Sequence, residues 1–268
     1  MGKETIMFFV FDAYNIVSAL IISFMIQAVF FAFAAGFKTD RVTDFSYSLS
    51  FIVLTLVVLF VTRAFHGLQI LIAVCIVAWG LRLGSYLFVR ILKIGKDDRF
   101  DDKREDFLKF LGFWILQAVA VWAIMLPYVV FLSLDTLYPV NWVSILGFVL
   151  WIGGFLIEVV SDRQKYVFKS NPDNRGRWIS TGLWRFSRHP NYFGEFLLWW
   201  GLFLIVLPAL SGLLYITIIG PVFITGLLLF VTGIPPLEKS AESKYGGMEE
   251  YNEYKRRTSL FILWPPGK

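Results

Sequence analysis

The sequence predicts an all-α, polytopic membrane protein with about seven transmembrane helices, and three observations support this prediction. Hydrophobic residues make up 57% of the 268-residue chain, whereas soluble domains average roughly 45–50%. Several apolar stretches reach the length of about 20 residues that a helix needs to cross a bilayer. Basic residues cluster in three segments, and the connecting segments between them lack such residues. This charge pattern is typical of a chain that crosses a membrane repeatedly.

The seven predicted spans can be placed on the chain and given a direction. They lie at residues 14–37, 46–63, 68–90, 108–132, 141–161, 192–210 and 212–234. The basic segments 93–104, 163–188 and 239–257 follow spans three, five and seven, whereas segments 135–141 and 208–212 contain no Lys or Arg. Because basic loops stay in the cytoplasm, we predict that the N-terminus lies outside and the C-terminus lies in the cytoplasm.

The chain is predicted to form a single membrane domain over residues 1–268. No linker rich in Gly, Ser or Pro and no internal repeat divides it, and no cleavable secretory signal is evident. The single cysteine, Cys75, cannot form an internal disulfide or a multi-cysteine metal site. The two histidines, His66 and His189, are predicted near opposite membrane faces. A metal site built on histidine is therefore not expected.

Three predicted helices each carry two polar residues spaced four apart, so that each pair lies on one helix face. The pairs are Arg82 with Tyr86, Glu158 with Asp162, and Asn191 with Glu195. A charged side chain at the bilayer centre costs about 2.5–3.5 kcal/mol on insertion scales, so it needs a partner or a polar cavity. We predict that the three pairs converge on one cavity near the cytoplasmic end of the helices. For Arg82 alone, snorkelling or a structural ion pair is the alternative.

The residue types around this predicted cavity suit a phosphorylated cofactor. Arginine forks bind phosphate groups, and carboxylates accept hydrogen bonds from ribose hydroxyls or amides. The chain lacks the glycine-rich signatures of Rossmann and P-loop folds, which excludes those folds but not nucleotide binding. It also lacks a nucleophile-elbow pattern. The sequence therefore favours a bound cofactor over covalent catalysis, although membrane topology by itself also explains many of the basic loop residues.

The segment RHPNYFGE (188–195) resembles the C-terminal domain of the steroid 5α-reductases and of a bacterial family of integral membrane proteins related to them. Sterol C14- and C7-reductases carry a similar element, matched here by His189, Pro190, Asn191, Tyr192, Gly194 and Glu195. The segment ESKYGGMEEYNEY (242–254) is also similar to the tails of those enzymes. The resemblance covers residues 145–268, and over residues 40–90 it depends on a few positions.

The resemblance implies an NADPH-dependent oxidoreductase that reduces a carbon–carbon double bond in a lipophilic enone, steroid-like or isoprenoid, taken from the bilayer. It implies a cofactor pocket formed by Arg82, Asp162, Lys169, Arg177, Arg188, His189, Asn191, Tyr192 and Glu195. Asp44 and Tyr86 are expected to polarise the substrate carbonyl, because negative charge develops on its oxygen during hydride transfer. The resemblance also implies a bacterial cytoplasmic membrane, with membrane lipids as partners and no nucleic acid.

The chain departs from the 5α-reductase pattern at the catalytic acid. Those enzymes use a Glu at the start of helix two together with a Tyr on helix three. Here no Glu occurs between Glu4 and Glu105, so Asp44 is the nearest analogue, and Trp79 stands where the Tyr is expected. Tyr86 and Tyr47 are the candidate substitutes. This departure bears on the identity of the substrate more than on that of the cofactor.

A second enzyme class resembles the same segment. Isoprenylcysteine carboxyl methyltransferases and related phospholipid methyltransferases carry an Arg-His-Pro-x-Tyr element and bind S-adenosylmethionine. Those enzymes usually have an apolar residue at the position of Glu195, so Asn191 together with Glu195 favours the reductases. A membrane methyltransferase is the alternative function, and a non-catalytic protein that keeps the scaffold is a third hypothesis.

Overall fold

The structure is a computed structural model that describes residues 12–95 and 106–267, and their regular elements are helices. The α-helices are α1 Ile16–Gly36, α2 Thr43–Val61, α3 Gly67–Ile94, α4 Phe107–Leu132, α5 Trp142–Ser170, α6 Pro190–Val206, α7 Ile219–Gly226, α8 Ile234–Tyr245 and α9 Glu249–Arg257. Shorter helical turns cover Pro172–Asn174, Gly182–Arg185, Leu207–Ala209 and Gly212–Ile218, and a π-helical turn covers Leu227–Val231. Seven segments of the described chain are long and apolar enough to cross a membrane. The predicted fold class is confirmed.

Two of the observed spans extend well past the predicted ends. Helix α5 continues to Ser170, well past the predicted end at residue 161, so its acidic and basic residues lie on a continuous helix. The last span reaches Tyr245 rather than residue 234. The orientation of the termini stays a prediction, and most of the first basic segment, residues 96–105, lies outside the described residues.

The described chain divides into two compact units. The first contains the described residues up to Asn141 together with Val206–Gly220. Here α2 packs closely on α3, because a Cβ atom added at Gly80 would lie 2.7 Å from Cγ1 of Ile52. A buried polar network joins α1, α2 and α4, in which Gln117 donates to Gln27 at 2.9 Å and Gln27 donates to Ser50 at 2.8 Å. These bonds satisfy amide groups that would be costly to bury alone.

The second unit contains Trp142–Ile205 and the described residues from Pro221 onward. Its helices α5 and α6 run antiparallel and touch through glycines. A Cβ atom on Gly154 would lie 2.5 Å from the Gly194 carbonyl oxygen, and one on Gly147 would lie 2.6 Å from that of Gly201. Small residues at a regular spacing allow two membrane helices to approach backbone to backbone.

The end of the last span is bent, and the bend starts a new helix. After the π-helical turn Leu227–Val231, Thr232 and Gly233 both donate their N–H groups to the Leu227 carbonyl. Helix α8 then begins at Ile234, with Pro235 in its first turn, where proline fits because no intrahelical N–H bond is needed. A break at Gly246 separates α8 from α9.

Candidate functional site

The centre of the candidate site is a cluster of two basic residues on one carboxylate, in the second unit. Arg188 Nη1 forms a salt bridge with Glu238 Oε2, and His189 Nε2 lies 2.8 Å from Glu238 Oε1. The side chains of Arg188, His189 and Glu238 are 14%, 6% and 24% exposed. Glu238 in the first turns of α8 therefore holds two consecutive residues of the predicted motif.

The protonation of His189 follows from this contact. Burial lowers the pKa of His189, and the hydrogen bond with Glu238 offsets only part of that effect. Because the Glu238 carboxylate can only accept, the neutral imidazole carries its hydrogen on Nε2 and has a lone pair on Nδ1. Nδ1 is buried and has no hydrogen-bond partner among the described residues. An acceptor that is buried without a partner is energetically costly.

The loop before α6 is held in place by the C-terminal tail. Ser187 Oγ donates to the Phe261 carbonyl at 2.8 Å and accepts from the His189 N–H at 3.1 Å. The Arg188 N–H donates to the Ser259 carbonyl at 2.8 Å. Because these bonds fix the backbone on both sides of Arg188, they set the direction in which its side chain and that of His189 leave the chain.

Helix α6 carries the next residues of the motif. Pro190 begins the helix, two residues before the predicted start of the span. Asn191 follows, and its Oδ1 is buried without a hydrogen-bond partner in the part of the chain that the structure describes. The ring of Tyr192 stacks on that of His189, with centroids 5.8 Å apart and planes 9° apart. Glu195, one helical turn beyond Asn191, is 8% exposed.

Helix α5 brings two further acids to the same unit. Glu158 and Asp162 are 2% and 6% exposed. A Cβ atom on Gly194 would lie 2.7 Å from the Glu158 backbone nitrogen, so α6 crosses α5 at Glu158. Since the helices are antiparallel, Asp162 lies one turn towards the start of α6, at the level of Asn191. The two polar pairs of the second unit are therefore brought to one level of the α5–α6 crossing.

The remaining predicted cofactor residues of this unit lie on its exposed side. Lys169 and Arg177 are exposed, and the Arg177 carbonyl accepts from the Tyr245 hydroxyl at 3.2 Å. Lys165, which the sequence analysis did not select, lies with Nζ 4.5 Å from the ring centre of Trp184. The structure does not bury Lys169 or Arg177 with the Glu238 cluster, so their role as cofactor ligands stays a prediction.

Arg82, Tyr86 and Asp44 belong to the first unit. The guanidinium carbon of Arg82 lies 5.5 Å from the centre of the Tyr86 ring, which confirms that the two residues share a helix face. Asp44, in the first turn of α2, pairs with Arg90 at 3.3 Å. In this contact Asp44 is a hydrogen-bond acceptor. Trp79 is fully buried, with its ring edge-on to Phe51 at 5.2 Å.

Glu238 is the residue that the sequence analysis missed. It lies in the segment LEKSAESKY (237–245), of which the sequence analysis used only the basic residues and the similarity of residues 242–254. The sequence does indicate that an acidic partner is needed, because Arg188 and His189 lie at the edge of a predicted span and a buried base needs a counter-charge. Glu238 is the first acid after the last apolar stretch, but sequence spacing does not indicate which of the tail acids reaches back.

Comparison with known proteins places the chain in a family. Residues 30–258 match the family described as "Protein of unknown function (DUF1295)", and the chain belongs to that family. The chain is also similar to "Probable O-methyltransferase ustE" from Ustilaginoidea virens, with 41% identity over 46 residues. That match covers 17% of this chain and only 16% of that protein. No solved structure matches the chain.

Proposed function

We propose that this DUF1295 protein is an NADPH-dependent membrane reductase that acts on a carbon–carbon double bond in a lipophilic enone, steroid-like or isoprenoid. The observation that carries the proposal is the Arg188–His189–Glu238 cluster beside two buried acceptor atoms, His189 Nδ1 and Asn191 Oδ1. A polar site of this kind inside an apolar chain is costly to maintain. We therefore expect such a site to be retained because it binds a ligand.

The side chains of the second unit fit the groups that NADPH presents. The acceptors His189 Nδ1 and Asn191 Oδ1 suit ribose hydroxyl and amide hydrogens. Lys169 and Arg177 on the exposed side would meet phosphate groups. Arg188, whose charge Glu238 balances, would add an N–H donor from Nε. Asp162, Tyr192 and Glu195 complete the proposed pocket. Bound NADPH would supply the hydride for the β-carbon of the enone.

The proposed substrate-polarising groups are Asp44 and Tyr86. The Tyr86 hydroxyl is a hydrogen-bond donor suited to a carbonyl oxygen on which negative charge develops. Asp44 accepts from Arg90, and an acceptor of this kind orients neighbouring donors rather than protonating a substrate. We propose Tyr86 as the donor and Asp44 as a group that orients it. The role of Arg82, which lies next to Tyr86, as a cofactor ligand stays a prediction from the sequence.

An S-adenosylmethionine-dependent membrane methyltransferase is the second candidate, and two observations favour it. The similar protein of Ustilaginoidea virens is named an O-methyltransferase. The second unit buries Glu158, Asp162 and Glu195, and buried carboxylates suit the positive sulfonium and amino groups of S-adenosylmethionine better than they suit phosphates. The two candidates therefore differ in the charge of the cofactor they require.

Thermal unfolding of the detergent-purified protein with NADPH, NADP⁺ or S-adenosylmethionine separates the candidates. A ligand that binds only the folded state adds about 2.7 kcal/mol of stability at 100 times its dissociation constant. We expect NADPH to raise the melting temperature and S-adenosylmethionine to leave it unchanged. Stabilisation by S-adenosylmethionine alone would replace the reductase by the methyltransferase. No shift with any of the three would contradict both.

Two variants test the assigned site in the same assay. We expect Asn191→Ala to lose most of the cofactor-induced shift without lowering the melting temperature of the protein alone, because Oδ1 has no partner to lose within residues 12–95 and 106–267. We expect Glu238→Gln to reduce the shift as well. Its matched control is Glu242→Gln, since Glu242 pairs with Lys255 and is half exposed. Equal effects of the two glutamate variants would contradict the assignment of Glu238.

A further inference from the structure

A cavity lies within the first unit, at the turn between α1 and α2. It has a volume of about 590 Å³, within the range of roughly 300–1,000 Å³ that is usual for small-molecule sites. Its walls include Phe33, Phe37, Lys38, Arg41, Phe88 and Leu92. We call this cavity the α1–α2 groove. Its lining combines bases with large apolar side chains, so an occupant must be amphipathic.

The polar end of the groove is built around Arg41. Its Nε donates to the Gly95 carbonyl at 3.0 Å, so the side chain is fixed between the α1–α2 turn and the end of α3. The terminal nitrogens of a guanidinium held in this way still form the planar fork that binds phosphate oxygens. Lys38 and Arg41 are exposed, whereas the acid in the lining, Asp40, is 3% exposed. The accessible charge at this end is therefore positive.

The other wall is apolar and exposed. Phe37 and Leu92 are 72% and 55% exposed, and Phe33 and Phe88 are also exposed. The rings of Phe33 and Phe37 are in contact, with centroids 4.7 Å apart and planes tilted by 46°. Because α1 and α3 are long enough to span a membrane, the apolar wall lies at the ends of two spans. Acyl chains of lipids are the apolar groups present at such a position.

We propose that the α1–α2 groove is a binding site for an acidic phospholipid, with its phosphate on Arg41 and Lys38 and an acyl chain against Phe33, Phe37, Phe88 and Leu92. The charge of the polar end selects an anionic headgroup, and the apolar wall selects a lipid over a free phosphate ester. Clusters of bases at the end of membrane spans attract anionic lipids. The lipid-binding proposal does not depend on the proposed enzymatic function.

A basic residue at the end of a helix can also be explained without a bound lipid. Arg63 provides a control for that explanation. Lys38 follows α1 in the left-handed conformation at φ 47°, and Arg63 follows α2 in the same conformation at φ 53°. Bases at helix C-termini interact favourably with the helix dipole, so both positions are explained by that effect. Arg63 does not line the groove. Replacing Arg63 therefore distinguishes a general effect of positive charge from the binding of a headgroup in the groove.

The test is native mass spectrometry of the full-length protein with phosphatidylglycerol or phosphatidylcholine, compared with the variants Arg41→Gln, Lys38→Gln and Arg63→Gln. We expect the wild type to prefer phosphatidylglycerol, and we expect Arg41→Gln to weaken its binding about fivefold, the effect of one base near a lipid surface. Lys38→Gln should act similarly. Arg63→Gln, which removes the same charge, should leave the preference unchanged.

Three results would overturn the proposal. The first is equal binding of the two lipids by the wild type. The second is an equal loss in Arg63→Gln and in both groove variants, since that would show a general charge effect. The third is binding of glycerol 1-phosphate as tight as that of phosphatidylglycerol, since the site would then take a free phosphate ester. A melting temperature measured for each variant distinguishes a lost site from a lost fold.

Discussion

Glu238 shows how a single carboxylate organises a site in an apolar chain. It accepts from Arg188 and from His189, so it balances the charge of Arg188, and because His189 is neutral the cluster carries no net charge. Breaking a buried ion pair by removing one partner is strongly destabilising, because it leaves a charge uncompensated. The same contact fixes the His189 tautomer, and the lone pair on Nδ1 is therefore a consequence of Glu238.

The pKa of His189 predicts a pH dependence of stability. Burial lowers that pKa below its usual value of 6.5, so the unfolded chain binds a proton at a higher pH than the folded one. The stability contributed by neutral His189 is present above pH 6.5 and is lost as the pH falls towards the lowered pKa. We expect the melting temperature to fall between about pH 7.5 and about pH 5.5.

The variant His189→Gln identifies the source of this pH dependence. We expect its melting temperature to change less with pH over the same interval, because glutamine does not titrate. His66→Gln, which removes the other histidine of the chain, is the matched control. A wild-type slope in His189→Gln would show that another group is responsible.

At the scale of elements, the second unit depends on the close approach of α5 and α6. The glycines of the crossing bring the backbone of Gly194 against that of Glu158, and the acids of α5 thereby reach the level of the α6 motif. The bend before α8 is equally important, since it directs Glu238 back to the loop before α6, which carries Arg188 and His189. Helix contacts and a helix break, rather than local sequence, bring these residues together.

Adjacent glycines on α5 allow a matched test of the crossing. A Cβ atom on Gly154 would lie 2.5 Å from the Gly194 carbonyl oxygen, whereas one on Gly153 would meet no atom within 4 Å. We expect Gly154→Ala to cost about 1–3 kcal/mol of stability, as overpacking typically does, and to weaken cofactor binding. Gly153→Ala should be neutral or stabilise by up to about 1 kcal/mol, because alanine favours a helix. Equal melting temperatures would contradict this role of Gly154.

At the scale of the whole molecule, an odd number of spans requires the two ends of the chain to lie on opposite sides of the membrane. The basic segments predict which side each loop occupies. Cys75 is buried, so it should not react with a membrane-impermeant maleimide, and cysteines introduced at exposed loop positions report on the topology.

We expect Asp135→Cys, in the loop after α4, to be labelled in intact cells. Arg175→Cys, in the loop after α5, should be labelled only after the membrane is permeabilised. Both positions are exposed in the structure, so a difference in labelling reports on the side of the membrane. The reverse pattern would invert the predicted topology, and labelling of both in intact cells would contradict the number of spans between them.

The sequence by itself determined the membrane class, the seven spans and the polar pairs. These properties are local, since they depend on the apolar length of each segment and on the four-residue spacing that places Arg82 beside Tyr86. The Pro190 start of α6 and the break at Gly246 are local for the same reason, because proline and glycine restrict or free the backbone at one position.

Only the tertiary structure decided which acidic residue contacts Arg188 and His189. Arg188 and His189 are separated from Glu238 by about 50 residues, and several acids of the tail have the same local character. Which one reaches the loop depends on the bend at Gly233, on the glycine contacts between α5 and α6 and on the tail bonds to Ser187 and Arg188. Those contacts join segments that are distant in sequence, so the spacing of residues along the chain does not predict them.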